Sequence, residues 1–274
     1  MTPPQLRIVP SGEASASPRR LIEIRGLQKT YRTKDGDVPS LRPLDLDIAE
    51  GEFVAVVGPS GCGKSTLLKL MAGLIPPSGG EIRIENTLVS QPPDNVGIVF
   101  QSPVLLAWRT VLRNIMMPVE VRRLDWPTHL ARAKALIATS GLEGFENKYP
   151  WQLSGGMQQR AAICRALVHD PKIVLMDEPF GALDAMTRER MNLELQSIHH
   201  KTGKTILLIT HSIPEAVFLA DRVVVMTERP GAIAAIYDVE LPRPRRFEMM
   251  GDPVFVALAQ RIRDHFFARG TLDL

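Results

Sequence analysis

Short runs rich in Val, Ile and Leu, some continuous and some alternating with polar residues, alternate along this chain with stretches in which apolar residues recur every three or four positions. The apolar runs fall at residues 21–24, 44–48, 53–57, 81–84 and 96–100, and again at 173–176, 205–209 and 223–226. Their length and their Val, Ile and Leu content predict β-strands, the continuous ones buried on both faces. Helical spacing falls at 65–72, 111–121, 128–139, 155–167 and 183–199. Strands separated by helices predict a parallel sheet covered on both sides, and so an α/β domain. Residues 102–166 break the alternation with helical spacing alone, which reads as a small subdomain inserted into that domain.

The flanks differ from this body. Residues 1–20, with Pro3, Pro4, Pro10 and Pro18, carry no period and predict a mobile tail. The domain proper is read as residues 21–240. The stretch from Pro230 to Pro253, with Pro242 and Pro244, reads as a connector. It leads through the C-terminal segment 241–274 to an amphipathic helix over 253–268, expected to dock on the chain's own core.

Composition narrows the class without naming it. Thirty-three Lys and Arg against 30 Asp and Glu leave +3 over 274 residues, too mild to imply a nucleic-acid partner. Aromatics at 5% argue against a stacking platform for single strands. Two cysteines, Cys62 and Cys164, exclude a disulfide scaffold and suit a reducing compartment. No apolar run exceeds six residues, whereas a membrane span needs about 20. A cytosolic chain is expected.

The chemistry begins at Gly58-Pro59-Ser60-Gly61-Cys62-Gly63-Lys64-Ser65, between a buried-type strand and a helix. That is the P-loop spacing and context. Glycines let the backbone wrap phosphate oxygens, and loop N–H groups with the helix N-terminus supply positive potential. Lys64 places a point charge on the β- and γ-phosphates, and Ser65 offers a hydroxyl to Mg²⁺. The strand 173–176 runs into Asp177 and Glu178. Asp177 can hold the Mg²⁺ shell, and Glu178 can polarise an attacking water as general base. Together they predict a nucleoside triphosphatase. Leu153-Ser154-Gly155-Gly156 opens a further helix as a second anion-seeking element. With one P-loop in the chain, it either serves another subunit's nucleotide or is an ordinary Ser N-cap with a Gly turn.

The P-loop, Leu153-Ser-Gly-Gly-Met-Gln-Gln-Arg160 and Leu175-Met-Asp-Glu-Pro-Phe-Gly-Ala-Leu-Asp184 together resemble an ABC transporter ATPase subunit, in that family's order. The resemblance covers residues 21 to about 240. It implies an α/β P-loop NTPase fold with a mainly parallel core sheet, an N-terminal antiparallel β part and an inserted helical subdomain. It also implies roles: Gln101 senses the γ-phosphate and contributes to the metal site, and Asp184 links two subunits' sites. His211 positions the water and Tyr31 stacks on adenine, while Thr66 joins the P-loop residues that hold ATP. The mechanism implied is a head-to-tail pair of subunits in which each ATP lies between one P-loop and the partner's Ser154–Gly156 element, and the single intact set of motifs makes a homodimer the simpler expectation. Met157 stands where the family more often has Gln.

A narrower likeness is carried by Leu105-Leu-Ala-Trp-Arg-Thr-Val111, by the run from Asp177 to Arg188 and by Thr210 to Asp221. These are similar to nitrate, sulfonate and taurine importer ATPases, with Ala107 where that group usually has Pro. That likeness implies a transmembrane permease contacting the segment from Gln101 to Arg109, and a solute-binding protein outside the membrane as an indirect partner. It implies a peripheral place on the cytoplasmic face of the inner membrane. A soluble ABC-type ATPase, such as one of iron–sulfur assembly, is the alternative.

Other signals are discounted. Asn147-Lys148-Tyr149-Pro150 lacks the Asp that reads guanine, which favours ATP. His199 and His200 are adjacent and face different sides of a helix. Arg243-Pro244-Arg245-Arg246 reads as a solvated linker.

Overall fold

β1 (Arg20–Thr33) and β2 (Gly36–Ala49) are antiparallel partners of 14 residues each, far longer than the apolar runs they contain. The computed structural model describes residues 19–181 and 183–267; residues 1–18 of the expected tail and Ala268 of the expected last helix lie outside the described residues. β3 (Phe53–Val57) leads into α1 (Lys64–Met71). β4 (Gly79–Ile84) and β5 (Thr87–Leu88) then complete an antiparallel sheet of order β2-β1-β4-β5.

β6 (Val96–Val99) precedes the helical block of α2 (Val111–Ile115), α3 (Met117–Val121), α4 (Trp126–Thr139) and α5 (Gly155–Leu167). The single helix expected over 111–121 is two, parting at Met116, because Pro118 has no N–H with which to continue α2. The α/β pattern then resumes: β7 (Ile173–Asp177), α6 (Ala185–Thr202), β8 (Thr205–Ile209), α7 (Ile213–Leu219) and β9 (Arg222–Met226). β10 (Ile233–Asp238) and α8 (Pro253–Phe267) follow. The second sheet runs β10-β9-β3-β8-β7-β6, with β10 antiparallel and the rest parallel.

The unbroken apolar runs have a direct cause. On β3, Phe53, Ala55 and Val57 enter one core, shared with α6, α7 and α8. Val54 and Val56 enter another, between α1 and the antiparallel sheet. A strand covered on both faces has no polar side to show. The helical block keeps its own core of Val111, Ile115, Val119, Ala133 and Ile137. α5 joins the two regions, giving Ala161 and Cys164 to that core and Ile163, Ala166 and Leu167 to the sheet.

Two expectations about the C-terminal part are corrected. The connector from Pro230 contains a strand, β10. Arg245, expected in a solvated linker, is 2% exposed. α7 ends with carbonyls that have no intrahelical partner. The Arg245 guanidinium donates to Val217 O, Phe218 O and Ala220 O at 3.0, 3.1 and 2.7 Å. Its charge also suits the negative end of the helix dipole. Burial drives its pKa down to about 10.

Candidate active site

The P-loop leaves the C-terminal end of β3, where ligands bind in parallel sheets. Its glycines are required by space and conformation. A Cβ on Gly63 (φ 110°) would lie 2.6 Å from Leu41 Cδ2, and one on Gly58 would lie 2.9 Å from Cys62 Sγ. Cys62 is itself 1% exposed, its side chain packed in the core beneath the loop, so only its backbone faces a nucleotide. Lys64 Nζ donates to Gly58 O and Pro59 O at 2.7 and 2.8 Å, so the ammonium lies within the loop.

Ser65 Oγ donates to Asp177 Oδ1 at 3.1 Å, joining the P-loop helix to the end of β7 across 112 positions of sequence. Burial pushes the Asp177 carboxyl upward, opposed by the Ser65 hydrogen bond and by Lys69 and Lys64. The Glu178 N–H donates to Ile209 O at 2.9 Å, and its φ of 45° places a non-glycine residue in the left-handed region. Such conformations persist where surrounding structure holds them, and they cluster at functional sites. Two side chains converge on Glu178 Oε2: Gln101 Nε2 donates at 3.3 Å, and His211 Nδ1 lies at 3.2 Å.

A cleft of about 390 Å³ gathers Tyr31, Ser60, Gly61, Gly63, Lys64, Ser65, Thr66, Gln101 and Glu178. Tyr31 is set by β1, its hydroxyl 3.4 Å from Thr66 Oγ1 and the Lys29 ammonium 5.3 Å from its ring centre. Two residues here were not foreseen. Ser40 donates to Thr66 Oγ1 at 3.0 Å, and Arg229 lines the cleft while donating to Pro39 O at 3.2 Å. Arg229 follows the C-terminal end of a parallel strand, which is the one signal that could have marked it. A second cleft of about 670 Å³ adjoins Gly58, Pro59, Ser60 and His211, and Phe266 of α8 forms part of its wall.

Ser154, Gly155, Gly156 and Asp184 do not line the cleft that holds the P-loop residues. Each acid or hydroxyl here caps a helix: Ser154 Oγ accepts from Met157 N–H at 3.3 Å and Asp184 Oδ1 from Thr187 N–H at 3.0 Å. Those Thr187 contacts hold the Asp184 carboxyl below its usual range. Gly156 packs on the loop before α6, since a Cβ there would meet Leu183 Cδ2 at 3.1 Å.

The loop between Gln101 and α2 is rigidly held. Buried Asn114 accepts from Leu106 N–H at 2.7 Å and donates to Leu106 O, Arg109 O and Thr110 O at 3.1, 2.9 and 3.1 Å. Arg165 of α5 donates to Pro103 O and Val104 O, each at 2.8 Å. The loop so fixed leaves Trp108 74% exposed.

Known proteins match this architecture. The family model described as ABC transporter matches residues 41–181. An uncharacterised ABC transporter ATP-binding protein of Methanocaldococcus jannaschii is 47% identical over 224 residues, covering 82% of this chain and 84% of that relative. A taurine import ATP-binding protein of Yersinia pestis is 46% identical over 213 residues, 78% of this chain and 82% of the relative. Among solved structures, a dimeric bacterial ABC transporter cassette superposes with TM-score 0.74 at 33% identity, over 81% of this chain and 100% of the other. A dimeric ABC cassette in a post-hydrolysis state with ADP and phosphate gives TM-score 0.73 at 32% identity, with the same coverage. Sequence, fold and the convergence of Lys64, Asp177 and Glu178 agree, and the chain belongs to the ABC transporter family as one of its ATP-binding, ATP-hydrolysing proteins.

Proposed function

We propose that this chain is the ATP-hydrolysing subunit of a membrane importer, working as a head-to-tail homodimer with ATP held between two copies. The observation that carries the reading is the contact between Gln101 and Glu178 at one end of a fixed loop and the exposed Trp108 at the other. Buried Gln159 of α5 donates to Phe100 O at 3.2 Å, so α5 is tied to the same loop. A force applied at Trp108 therefore reaches the carboxylate of Glu178 through hydrogen-bonded elements. We assign the binding of a permease to the face from Gln101 to Arg109, and of the partner's nucleotide to Ser154, Gly155 and Gly156, with Asp184 at the same interface.

Within one copy, the P-loop N–H groups, Lys64 and Thr66 hold the phosphates, with Tyr31 beside the base. Ser65 and Asp177 offer a hydroxyl and a carboxylate oxygen 3.1 Å apart. Hard oxygen donors of this kind fit Mg²⁺, which takes few protein ligands and keeps phosphate and water for the rest. No cluster of three or more His, Cys, Asp or Glu suited to a metal occurs among the described residues, in keeping with that mode. Bound there, Mg²⁺ would neutralise phosphate charge, with the Gln101 amide able to contribute. Glu178 takes a proton from the attacking water while His211 and Gln101 orient it. No helix among the described residues is long and apolar enough to cross a membrane. That suits a peripheral place on the cytoplasmic face of the inner membrane, with the solute-binding protein on the far side. Taurine, sulfonates and nitrate are the solutes favoured by the names of relatives and by the sequence likeness.

The test is co-purification from native membranes in mild detergent. A multi-span subunit should be retained by the wild type and lost on Trp108→Glu, with ATP binding unchanged. A chain that stays without any membrane partner in every nucleotide state sinks the importer reading and leaves a soluble ABC-type ATPase.

A further inference from the structure

Behind Glu178 and His211 lies a second carboxylate to which no role has been given. Glu215, on the first turn of α7, is 6% exposed, and its Oε1 is buried without a hydrogen-bond partner in the protein. Facing it from α6 is Arg188, whose Nε is likewise buried and unpartnered. Both line one void of about 10 Å³, together with Glu178, Gly181, Thr210 and His211. That volume is about the lower limit for a single water, and a site needs two to four polar partners to hold one. Here six polar side chains line it, Ser212 among them. A water-sized polar void between charged groups is where a bridging water is expected.

The far end of Arg188 explains what such a bridge would connect. Its Nη2 donates to Leu183 O at 3.1 Å, one residue before Asp184. Leu183 is also the side chain against which Gly156 packs. Contacts therefore lead from the Ser154–Gly156 element through Leu183 to Arg188, and the void that Arg188 lines is shared by Glu215, Glu178 and His211.

We propose that Glu215 and Arg188 are positioning residues that hold one ordered water and thereby couple the loop before α6 to the orientation of Glu178. The assignment rests on Glu178 and His211 being the groups that act on the attacking water. The charged and titratable groups facing Glu215 are Arg188 from α6, His211 from the loop before α7 and Glu178 from the end of β7, with the Thr210 hydroxyl beside them. Burial raises the Glu215 carboxyl above the usual range, opposed by Thr210, Arg188 and His211.

The experiment measures steady-state kcat and KM for ATP of the full chain in its membrane complex, for Glu215→Gln, Arg188→Gln, Glu178→Gln and the double variants. Arg188 is only half-buried and its replacement leaves the core filled, so it serves as a second probe should Glu215→Gln fail to fold. The expected result is a fall in kcat of about tenfold for either single variant, with KM for ATP unchanged. The two changes should be strongly non-additive, as for residues sharing one network. A kcat within twofold of wild type in both single variants overturns the coupling, as does full additivity. If Glu178→Gln itself retains near-normal turnover, the assignment of Glu178 has failed instead, which separates the two outcomes.

Discussion

Two glycine-lined helix starts sit in this molecule, and they are built to opposite specifications. At the P-loop, Gly63 is jammed against Leu41 and Gly58 against Cys62 and Met226. Everything that corner needs is supplied from within the chain. At the other start, Ser154 is exposed and a Cβ on Gly155 would meet nothing within 4 Å. Packing within the chain does not require Gly155 to be small, and the proposed approach of a partner's nucleotide would use that open backbone. On the proposed reading, the contrast separates a cradle that is finished on folding from one that another molecule completes.

The largest expected effect tests the finished corner. Glu178→Gln should lower turnover by roughly 10²–10⁴-fold, the usual contribution of a general base, and leave ATP binding intact. Rapid turnover in that variant, measured by phosphate release, removes Glu178 from the chemistry. The contrast itself is tested by two matched substitutions. Gly63→Ala meets a backbone at φ 110° and a side chain at 2.6 Å, so it should lower thermal stability and ATP binding of the isolated chain. Gly155→Ala should leave both unchanged while reducing ATP-dependent dimerisation, read by light scattering. Equal behaviour of the two variants breaks the contrast.

Next in size is Arg245→Met, which takes a donor from the three carbonyls at the end of α7. Buried acceptors left unpaired cost about 1–3 kcal/mol each, partly recovered by relaxation. A loss of about 2–4 kcal/mol in urea melts is expected. A variant as stable as wild type would show that those carbonyls find other donors.

The smallest effect lies at the junction of the two regions. His169, just after α5, has Nε2 3.4 Å from Val96 O, and burial lowers its pKa to about 4, helped by Arg122. The unfolded imidazole titrates near 6.5. Between those values the unfolded chain binds more protons, so stability falls as pH drops from about 6.5 toward 4. His169→Gln should flatten that slope in pH-dependent melts, and an unchanged slope assigns it to other groups.

How much of this was legible follows from burial. β3, β7 and β8 are wholly buried, so their runs of apolar residues between glycines and acids could be read directly. β1 could be read only at its start, because its far half, Gln28 to Thr33, is half-exposed and polar where Tyr31 joins the cleft. β10 was missed since its edge position leaves Ile236 42% exposed and no alternation to detect. Arg245 misled for the converse reason. A charged residue between prolines reads as solvated, and the carbonyls that draw it inward belong to a helix some 25 positions earlier. Of the site, the motif residues Lys64, Ser65, Gln101 and Glu178 line one cleft, whereas Ser40, Arg229 and the Glu215–Arg188 pair depend on long-range packing that no local spacing encodes.

Phe266 of α8 stands in the wall of the larger cleft beside Ser60 and His211. The last helix is therefore part of the furnishing of the nucleotide neighbourhood, though Phe266 comes 201 positions after Ser65. For protein engineering this has a practical meaning. A chimaera that joins this chain's catalytic body to a relative's C-terminal segment would replace Phe266 and so alter the wall of the cleft that His211 also lines. Turnover measured on it would describe a changed site.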